Sequence, residues 1–319
     1  MGKCYVFKDK EISSINHQEI SSFTNRRPRY WLDFENISKD EIKKIKSLVE
    51  LHPITIEDLQ EEGEEARIKY EQFDDYTFIV FSGIRKITKD EIEPYVLKFI
   101  IGKNFIITVH KEKSNIIDSL SSNKRKLRNL MFKGVDYLLY SLIDQEVDLY
   151  YPIVEKLEKK VEKAEKKILI EKDESELDIL FDIKSINNEI KDLIVPNGRI
   201  ILKILKPSND YIREEAMIYF RDVYDNIVMI NEDIQGIKEQ IAGIISERNA
   251  ILSSNMNQVM KVLTIIATIM LPLTLVSGIY GMNVGLPGQS SRLSFYIIMG
   301  IMLLISLIML AFFKKQKWI

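Results

Sequence analysis

Two stretches without a single charge constrain this chain more than anything else in it. Val262 to Ile279 reads VLTIIATIMLPLTLVSGI, and Leu293 to Phe313 reads LSFYIIMGIMLLISLIMLAFF. A helix rises about 1.5 Å per residue, so roughly 20 residues cross a hydrocarbon layer of about 30 Å. Both runs are long enough. A pair of buried core helices is the alternative, but such helices usually keep a polar stripe, and the second run offers only Ser294, Ser306 and Tyr296. The average composition, 46% hydrophobic and 29% charged, would suit a soluble enzyme; it misleads because the two populations are segregated along the chain.

The flanks give an orientation. Lys261 precedes the first run, Lys314, Lys315 and Lys317 follow the second, and the loop between them carries Arg292 as its single cation. Positive residues stay on the cytoplasmic side. A multi-pass protein of the inner or plasma membrane is expected, with both termini cytoplasmic and the loop 281–292 outside. The opening residues, MGKCYVFKDKEISS, have no apolar core of signal-peptide length, which agrees with a cytoplasmic start. The four lysines form a basic membrane interface, and Trp318 suits an aromatic anchor beside them.

The two runs differ in character. The second is apolar all round, as a lipid-facing helix would be. The first has a face of small or weakly polar residues: Asn257, Met260, Thr264, Ala267, Leu271, Thr274 and Gly278 recur at spacings of three and four. Polar groups within a membrane face protein or water. Tight packing by small residues and the lining of a pore both fit, and periodicity alone does not separate them. Pro272 would kink this helix without ending it.

Upstream, Pro207 to Asp210 has the proline and capping side chains of a helix start, and no proline follows until Pro272. Val223, Ile227, Ile230, Ile234, Ile237, Ile241 and Ile244 keep a heptad seam. That seam needs partners from the same chain or from other copies, and isoleucine at both core positions favours more than two strands. Continued into the first run, the helix would span on the order of 100 Å. Before it, Tyr150, Val154, Leu157, Val161, Ala164 and Ile168 are followed by Ile179, Ile183, Ile186, Ile190 and Leu193, the pattern of an antiparallel hairpin. The charges of EKLEKKVEKAEKK read as a solvated face with i,i+4 pairs.

Residues 1–133 read as mixed α and β. CYVF, YWLDF, YTFIVFSGIR, YVLKFII and FIITVH have strand composition. Ser38 to Glu41 is a capping box opening a helix through Val49, and a short helix follows His52-Pro53. No nucleophile–base pair, phosphate loop or HExxH motif is present, and His17, His52 and His110 are scattered. The single cysteine, Cys4, excludes an internal disulfide and fits a buried strand. A net charge of -2 argues against nucleic acid as a partner. Neither an enzyme nor an organic cofactor is expected.

Tyr280-Gly281-Met282-Asn283 ends the first apolar run, just before a short outer loop and a second run. A tripeptide alone is weak evidence, but this one at this place resembles the CorA family of magnesium channels. HPITIEDLQ (52–60) is similar to that family's N-terminal signature, and the terminal KKQKW to its basic tail. The resemblance covers nearly the whole chain. It implies an α+β cytoplasmic domain, a long helical stalk and two C-terminal transmembrane helices, assembled as a funnel-shaped homo-oligomer, a homopentamer. The corresponding boundaries are 1–133 for the α/β domain, 134–206 for the hairpin, 207–280 for the stalk and first transmembrane helix (membrane part about 260–280), 281–292 for the external loop, 293–313 for the second transmembrane helix and 314–319 for the basic tail.

The resemblance also assigns roles. Gly281, Met282 and Asn283 would form the selectivity filter, with Asn283 side-chain oxygens and Gly281 carbonyls from five chains meeting hydrated divalent cations and Met282 packed away. Asn257, Met260, Leu263, Leu271, Thr274 and Gly278 would line the pore, Leu263 and Leu271 as constrictions. Leu271 stands where family members often carry methionine. Asp222 matches a sensing aspartate, with Asp90 of a neighbouring copy as partner, so Mg²⁺ would be both transported ion and regulatory ligand. Mg²⁺ releases its inner waters reluctantly, which suits a ring of neutral oxygens, and a ring of carboxylates could hold a divalent ion too tightly for release. The expected function is potential-driven Mg²⁺ influx, with Co²⁺ and Ni²⁺ as similarly hydrated ions. The alternatives are a Zn²⁺ or other divalent-cation transporter of the same superfamily, or a membrane-anchored coiled-coil interaction protein in the lipid bilayer.

Overall fold

The computed structural model describes residues 2–15, 28–60, 68–88, 91–207, 209–285 and 292–318. The chain divides into two compact units, Met1–Gly243 and Ile244–Ile319.

The first unit is built on a seven-stranded sheet. Its strands are β1 (Lys3–Lys8), β2 (Glu11–Ile15), β3 (Arg29–Glu35), β4 (Lys69–Gln72), β5 (Thr77–Thr88), β6 (Glu91–Ile101) and β7 (Phe105–His110). The order is β2-β1-β3-β7-β6-β5-β4. Only β3 and β7 run parallel, with Leu32 opposite Ile107; the other neighbours are antiparallel. β7 is central and buried along its whole length, as its uninterrupted FIITV run requires. The five expected strand segments all lie in strands, and β2 and β4 are additions. Cys4 is a buried strand residue, 0% exposed.

One face of the sheet is covered by α1 (Lys39–Leu48) and α2 (Pro53–Gln60). The capping box forms: Ser38 Oγ accepts from the Glu41 amide, and the Glu41 carboxylate accepts from the Ser38 amide. Ile42, Ile45 and Leu59 then pack on Leu32, Phe34, Phe78 and Ile107. The other face receives α5 (Val135–Asp148), reached through α3 (Asn115–Ser122) and α4 (Lys124–Lys133), and α7 (Glu176–Ile204). Asn197 of α7 fastens this layer, accepting from the Ser82 amide at 3.1 Å and donating to the Ser82 carbonyl at 2.7 Å. α5 thus belongs to the sheet layer; the hairpin is α6 (Tyr151–Lys166), a π-helical turn at Lys167–Glu171, and α7.

The long helix, α8, spans Glu214–Tyr280 and passes through Pro272 unbroken. It starts later than Pro207 suggests. Asn209 caps a turn instead, its side chain accepting from the Tyr211 amide, and Arg213 joins the buried Asp136 before the helix opens. The heptad seam is in place, with none of Val223, Ile227, Ile230, Ile234, Ile237, Ile241 and Ile244 more than 3% exposed. Its cover comes from the same chain. Asn187 of α7 donates to the Ile234 carbonyl, a Cβ on Gly198 would sit 3.1 Å from Ile227, and Gln240 donates to Glu165 of α6. In α7 the buried stripe runs through Leu180, Ile183, Asn187, Ile190, Ile194, Asn197 and Ile201, whereas Ile179 is 38% exposed and Leu193 is off the stripe. A straight α-helix drifts away from a strict heptad, and two buried asparagines continue the stripe where an apolar pattern search stops.

In the second unit, α8 continues and α9 (Arg292–Lys315) follows. Their most apolar windows have mean hydropathies of 2.2 and 2.7 and are 6% and 0% buried. Core helices of a soluble protein would be mostly covered; these two present Leu271, Leu275, Leu293 and Leu303 almost bare. The loop residues 286–291 and the side chain of Arg292 lie outside the described residues.

Candidate ion path and regulatory site

The candidate path is one face of α8. Because the helix is continuous, Asn257, Met260, Leu263, Thr264, Leu271, Thr274 and Gly278 fall within one arc of its circumference, and all are exposed. The positions of lower exposure, Ile265, Thr268, Ile269, Pro272, Leu273 and Val276, lie on the opposite side. Within a single chain, then, the polar face is the uncovered one. Asn257, Thr264 and Thr274 would meet lipid unless further copies close over them, so the site is incomplete in one copy.

The hydroxyls on this helix are already committed as donors. Thr264 donates to the Met260 carbonyl at 2.7 Å and Thr274 to the Met270 carbonyl at 2.8 Å. Each Oγ1 is left as an acceptor. A hydrated cation presents water hydrogens, so such oxygens suit it through its outer shell.

The helix ends where the tripeptide begins. The Gly281 amide donates to the Ser277 carbonyl at 2.9 Å and the Met282 amide to the Ile279 carbonyl at 3.3 Å. A Cβ on residue 281 would stand 3.0 Å from the Ser277 oxygen, so glycine fits the close turn that stops the helix. Gly281, Met282 and Asn283 are all exposed. Met282 is 53% exposed, so the packing that the resemblance implies is not made among the described residues.

Asp222 sits on α8 facing two carboxylates that the sequence reading missed, Asp144 and Asp148 of α5. Burial, then the charge of Asp148, and then that of Asp222 hold the Asp144 carboxyl above its ordinary range, against a hydrogen bond from Tyr140. The i,i+4 spacing places the two aspartates on one face of α5, and nothing local in the sequence joins that face to Asp222. Asp90 lies outside the described residues. No group of three or more His, Cys, Asp or Glu side chains close enough to hold a metal ion occurs among the described residues. His52 stacks on Phe73, and His110 is buried against Asp33; both are structural, and His17 lies outside the described residues.

Comparison with known proteins agrees with this layout. A family model for the CorA-like Mg2+ transporter protein matches residues 29–315. The cobalt/magnesium transport protein CorA of Thermotoga maritima is 28% identical over 317 residues, covering 97% of this chain and 89% of its own. The protein of the same name from Methanocaldococcus jannaschii is 24% identical, with 98% of each chain covered. The solved structure of the magnesium transporter CorA from that organism superposes with a TM-score of 0.79 at 21% identity, over 100% of this chain and 99% of that one. The chain belongs to the CorA-like Mg2+ transporter family, and so is a divalent-cation transporter and not an enzyme.

Proposed function

We propose that the chain forms a homopentameric channel carrying Mg²⁺ into the cell down the membrane potential. The observation that carries this reading is the uncovered face of α8, whose oxygens at Asn257, Thr264 and Thr274 lead to Gly281-Met282-Asn283. Five copies turned inward would line a path with neutral acceptors, narrowed at Leu263 and Leu271. Asn283 amide oxygens and Gly281 carbonyls would meet the hydrated ion at the outer mouth, with Met282 against a neighbouring copy. Moving two charges through 100 mV gains about 5 kcal/mol, so influx needs no other fuel. Co²⁺ is a second cargo on the same chemistry, as the names of the two cobalt/magnesium transport relatives support. Ni²⁺ follows as a similarly hydrated ion.

The lysines at 261, 314, 315 and 317 favour an inner or plasma membrane placement with both termini cytoplasmic. On that side Asp222, beside Asp144 and Asp148, would repel carboxylates of a neighbouring copy, Asp90 among them. A divalent cation bound between copies relieves the repulsion and holds the assembly closed.

The test is Mg²⁺ uptake into liposomes holding the purified protein and a Mg²⁺-sensitive dye. Wild type should take up Mg²⁺ under an inward potential, and Asn283→Ala should abolish uptake with the oligomer intact. Equal flux in both would remove the filter assignment. No flux from either, across Mg²⁺, Co²⁺ and Zn²⁺, would remove the channel. Asp222→Asn should retain flux while internal Mg²⁺ loses its inhibitory effect; inhibition identical to wild type would separate Asp222 from regulation.

A further inference from the structure

The carboxyl ends of β3 and β7, the parallel pair of the sheet, open on a cavity of about 110 Å³ that the ion path does not use. Ligands of α/β sheets gather outside such strand ends. The local chain builds the rim. Asn36 follows β3 with φ 51°, a backbone region that asparagine tolerates, and its amide donates at 2.8 Å to the carbonyl of His110, the last residue of β7. Ile37 and Lys39, just past that bend, line the cavity, and so do Lys111 and Glu112, just past β7. Ile42 of α1, Leu59 of α2, and Val96 and Val109 of the sheet form apolar walls.

One lining residue breaks the pattern of its strand. Val96, Lys98 and Ile100 alternate along β6 on the face that α1 and α2 cover, so Lys98 stands where the pattern calls for an apolar side chain. It is 7% exposed. Lysine is seldom buried so far, because taking its ammonium out of water is costly. Its Nζ donates to the Asp58 carbonyl of α2 at 2.6 Å, which holds the side chain at the cavity wall. The Asp58 carboxylate pairs with Lys69. Lys39 and Lys111 are exposed, so the three lysines run from the depth of the cavity to its mouth. Among the described residues Glu112 is the one acid that lines it. Three cations against one acid leave a formal surplus of two positive charges.

We propose that this cavity binds the phosphoryl group of a small phosphate, as the free anion or as a monoester. A phosphoryl group carries about −1.5 to −2 charges at pH 7, which matches the surplus. Its size matches too: benzene fills a cavity of about 150 Å³, so a cavity of about 110 Å³ takes roughly the five non-hydrogen atoms of a phosphate. Lys98 meets the phosphoryl oxygens in the depth, and Lys39 and Lys111 close on them from the mouth. Asn36 and Gln60 bring side-chain amide donors to the same space. The apolar walls keep the local dielectric low, which strengthens each charge-assisted bond. A carboxylate of similar size brings one charge and fewer acceptor oxygens, and so fits the three lysines less well.

The cavity lies wholly within the first unit, so its test is independent of the ion path. The full-length protein, in detergent and Mg²⁺-free buffer, is titrated calorimetrically with inorganic phosphate, methyl phosphate and acetate. Inorganic phosphate should bind once per chain with a Kd of about 1 mM or tighter. Methyl phosphate binding equally well would extend the site to monoesters, and its failure to bind would confine the site to the free anion. Lys98→Met should weaken phosphate binding about tenfold or more, the effect of losing one charge-assisted bond out of water. Lys111→Gln, an exposed substitution that leaves the core untouched, should weaken it about two- to fivefold, and it decides the matter if Lys98→Met does not fold. Lys124→Gln on α4, which does not line the cavity, should leave the affinity unchanged. The proposal is overturned by a wild type that shows no saturable phosphate binding up to about 10 mM, ten times the expected Kd. It is overturned equally by lysine variants at 98 and 111 that keep the wild-type affinity, which would move the anion elsewhere, or by acetate binding as tightly as phosphate.

Discussion

Replacing Glu146 by glutamine tests how the first unit is held together. Glu146 lies on α5 with no solvent exposure. Its carboxyl accepts from the Tyr95 hydroxyl, which also meets Ser114 Oγ at 3.1 Å. The other oxygen, Oε2, has no hydrogen-bond partner among the described residues and lies where a Cβ on Gly83 of β5 would collide with it. Burial pushes this carboxyl up to about 8, against the opposing pull of the Tyr95 bond and of nearby His110. Burial and then the Glu146 charge raise Tyr95 and Tyr150 in turn.

The sign follows from proton counting. Below pH 4.5, the ordinary value for the group, folded and unfolded chains both hold the proton and there is no penalty. From there to about 8 the unfolded chain has released it and the folded chain has not, so stability falls as pH rises. Above that both have released it and the full penalty stands. At about 1.4 kcal/mol per pH unit, the interval amounts to about 5 kcal/mol. Glutamine keeps an acceptor for Tyr95 and never ionises. The variant should match wild type near pH 5 and exceed it by several kcal/mol at pH 8. Urea unfolding of the full chain in detergent, followed by Trp31 fluorescence in a Trp318→Phe background, reads the difference. Parallel stability curves for the two proteins between pH 5 and 8 would refute the reasoning.

Two further substitutions address the layers around that sheet, read by the same unfolding assay. Asn197→Ala removes both bonds to Ser82 and leaves its buried amide unpaired, while the carbonyl keeps only the long 3.5 Å bond from the Tyr150 hydroxyl; the cost should be about 1–3 kcal/mol, and a loss under about 1 kcal/mol would mean that α7 is not fastened there. Ile230→Ala, at a position with 0% exposure in the seam, should cost about 2–5 kcal/mol. A loss of that size that persists when the protein is diluted would place the seam's cover in its own chain; a loss that scales with protein concentration would place it between copies.

The strands that could be read from sequence are those buried on at least one face, where β-branched and aromatic residues leave no other account. β2 and β4 escaped for a physical reason. β2 is joined to β1 by a two-residue turn in which Asp9 and Lys10 both have positive φ, 51° and 67°. Such turns announce themselves as Asn-Gly or Asp-Gly, and Asp-Lys carries little of that signal. β4 is a short polar edge strand, KYEQ, with Tyr70 alone to mark a face. The carboxylates facing Asp222 were hidden differently. Asp144 and Asp148 lie about 75 residues upstream, and only the docking of α5 beside α8 brings the three together, a tertiary fact that local spacing does not encode.

The long helix shows where sequence pattern and structure part company over assembly. Isoleucine at every core position of a heptad seam suggests several copies, yet the seam from Val223 to Ile241 is covered by α6 and α7 of the same chain. Those residues therefore carry no information about copy number. The demand for further copies comes instead from the next stretch of the same helix, whose apolar pattern is less regular. There Asn257, Thr264 and Thr274 stand uncovered in a segment too apolar to be wet, with threonine hydroxyls turned back into the helix and their remaining lone pairs facing out. Polar oxygens in that position are satisfied by neighbouring protein or by what passes between copies. The weakly polar face, rather than the strongly apolar seam, is the part of the sequence that calls for an assembly.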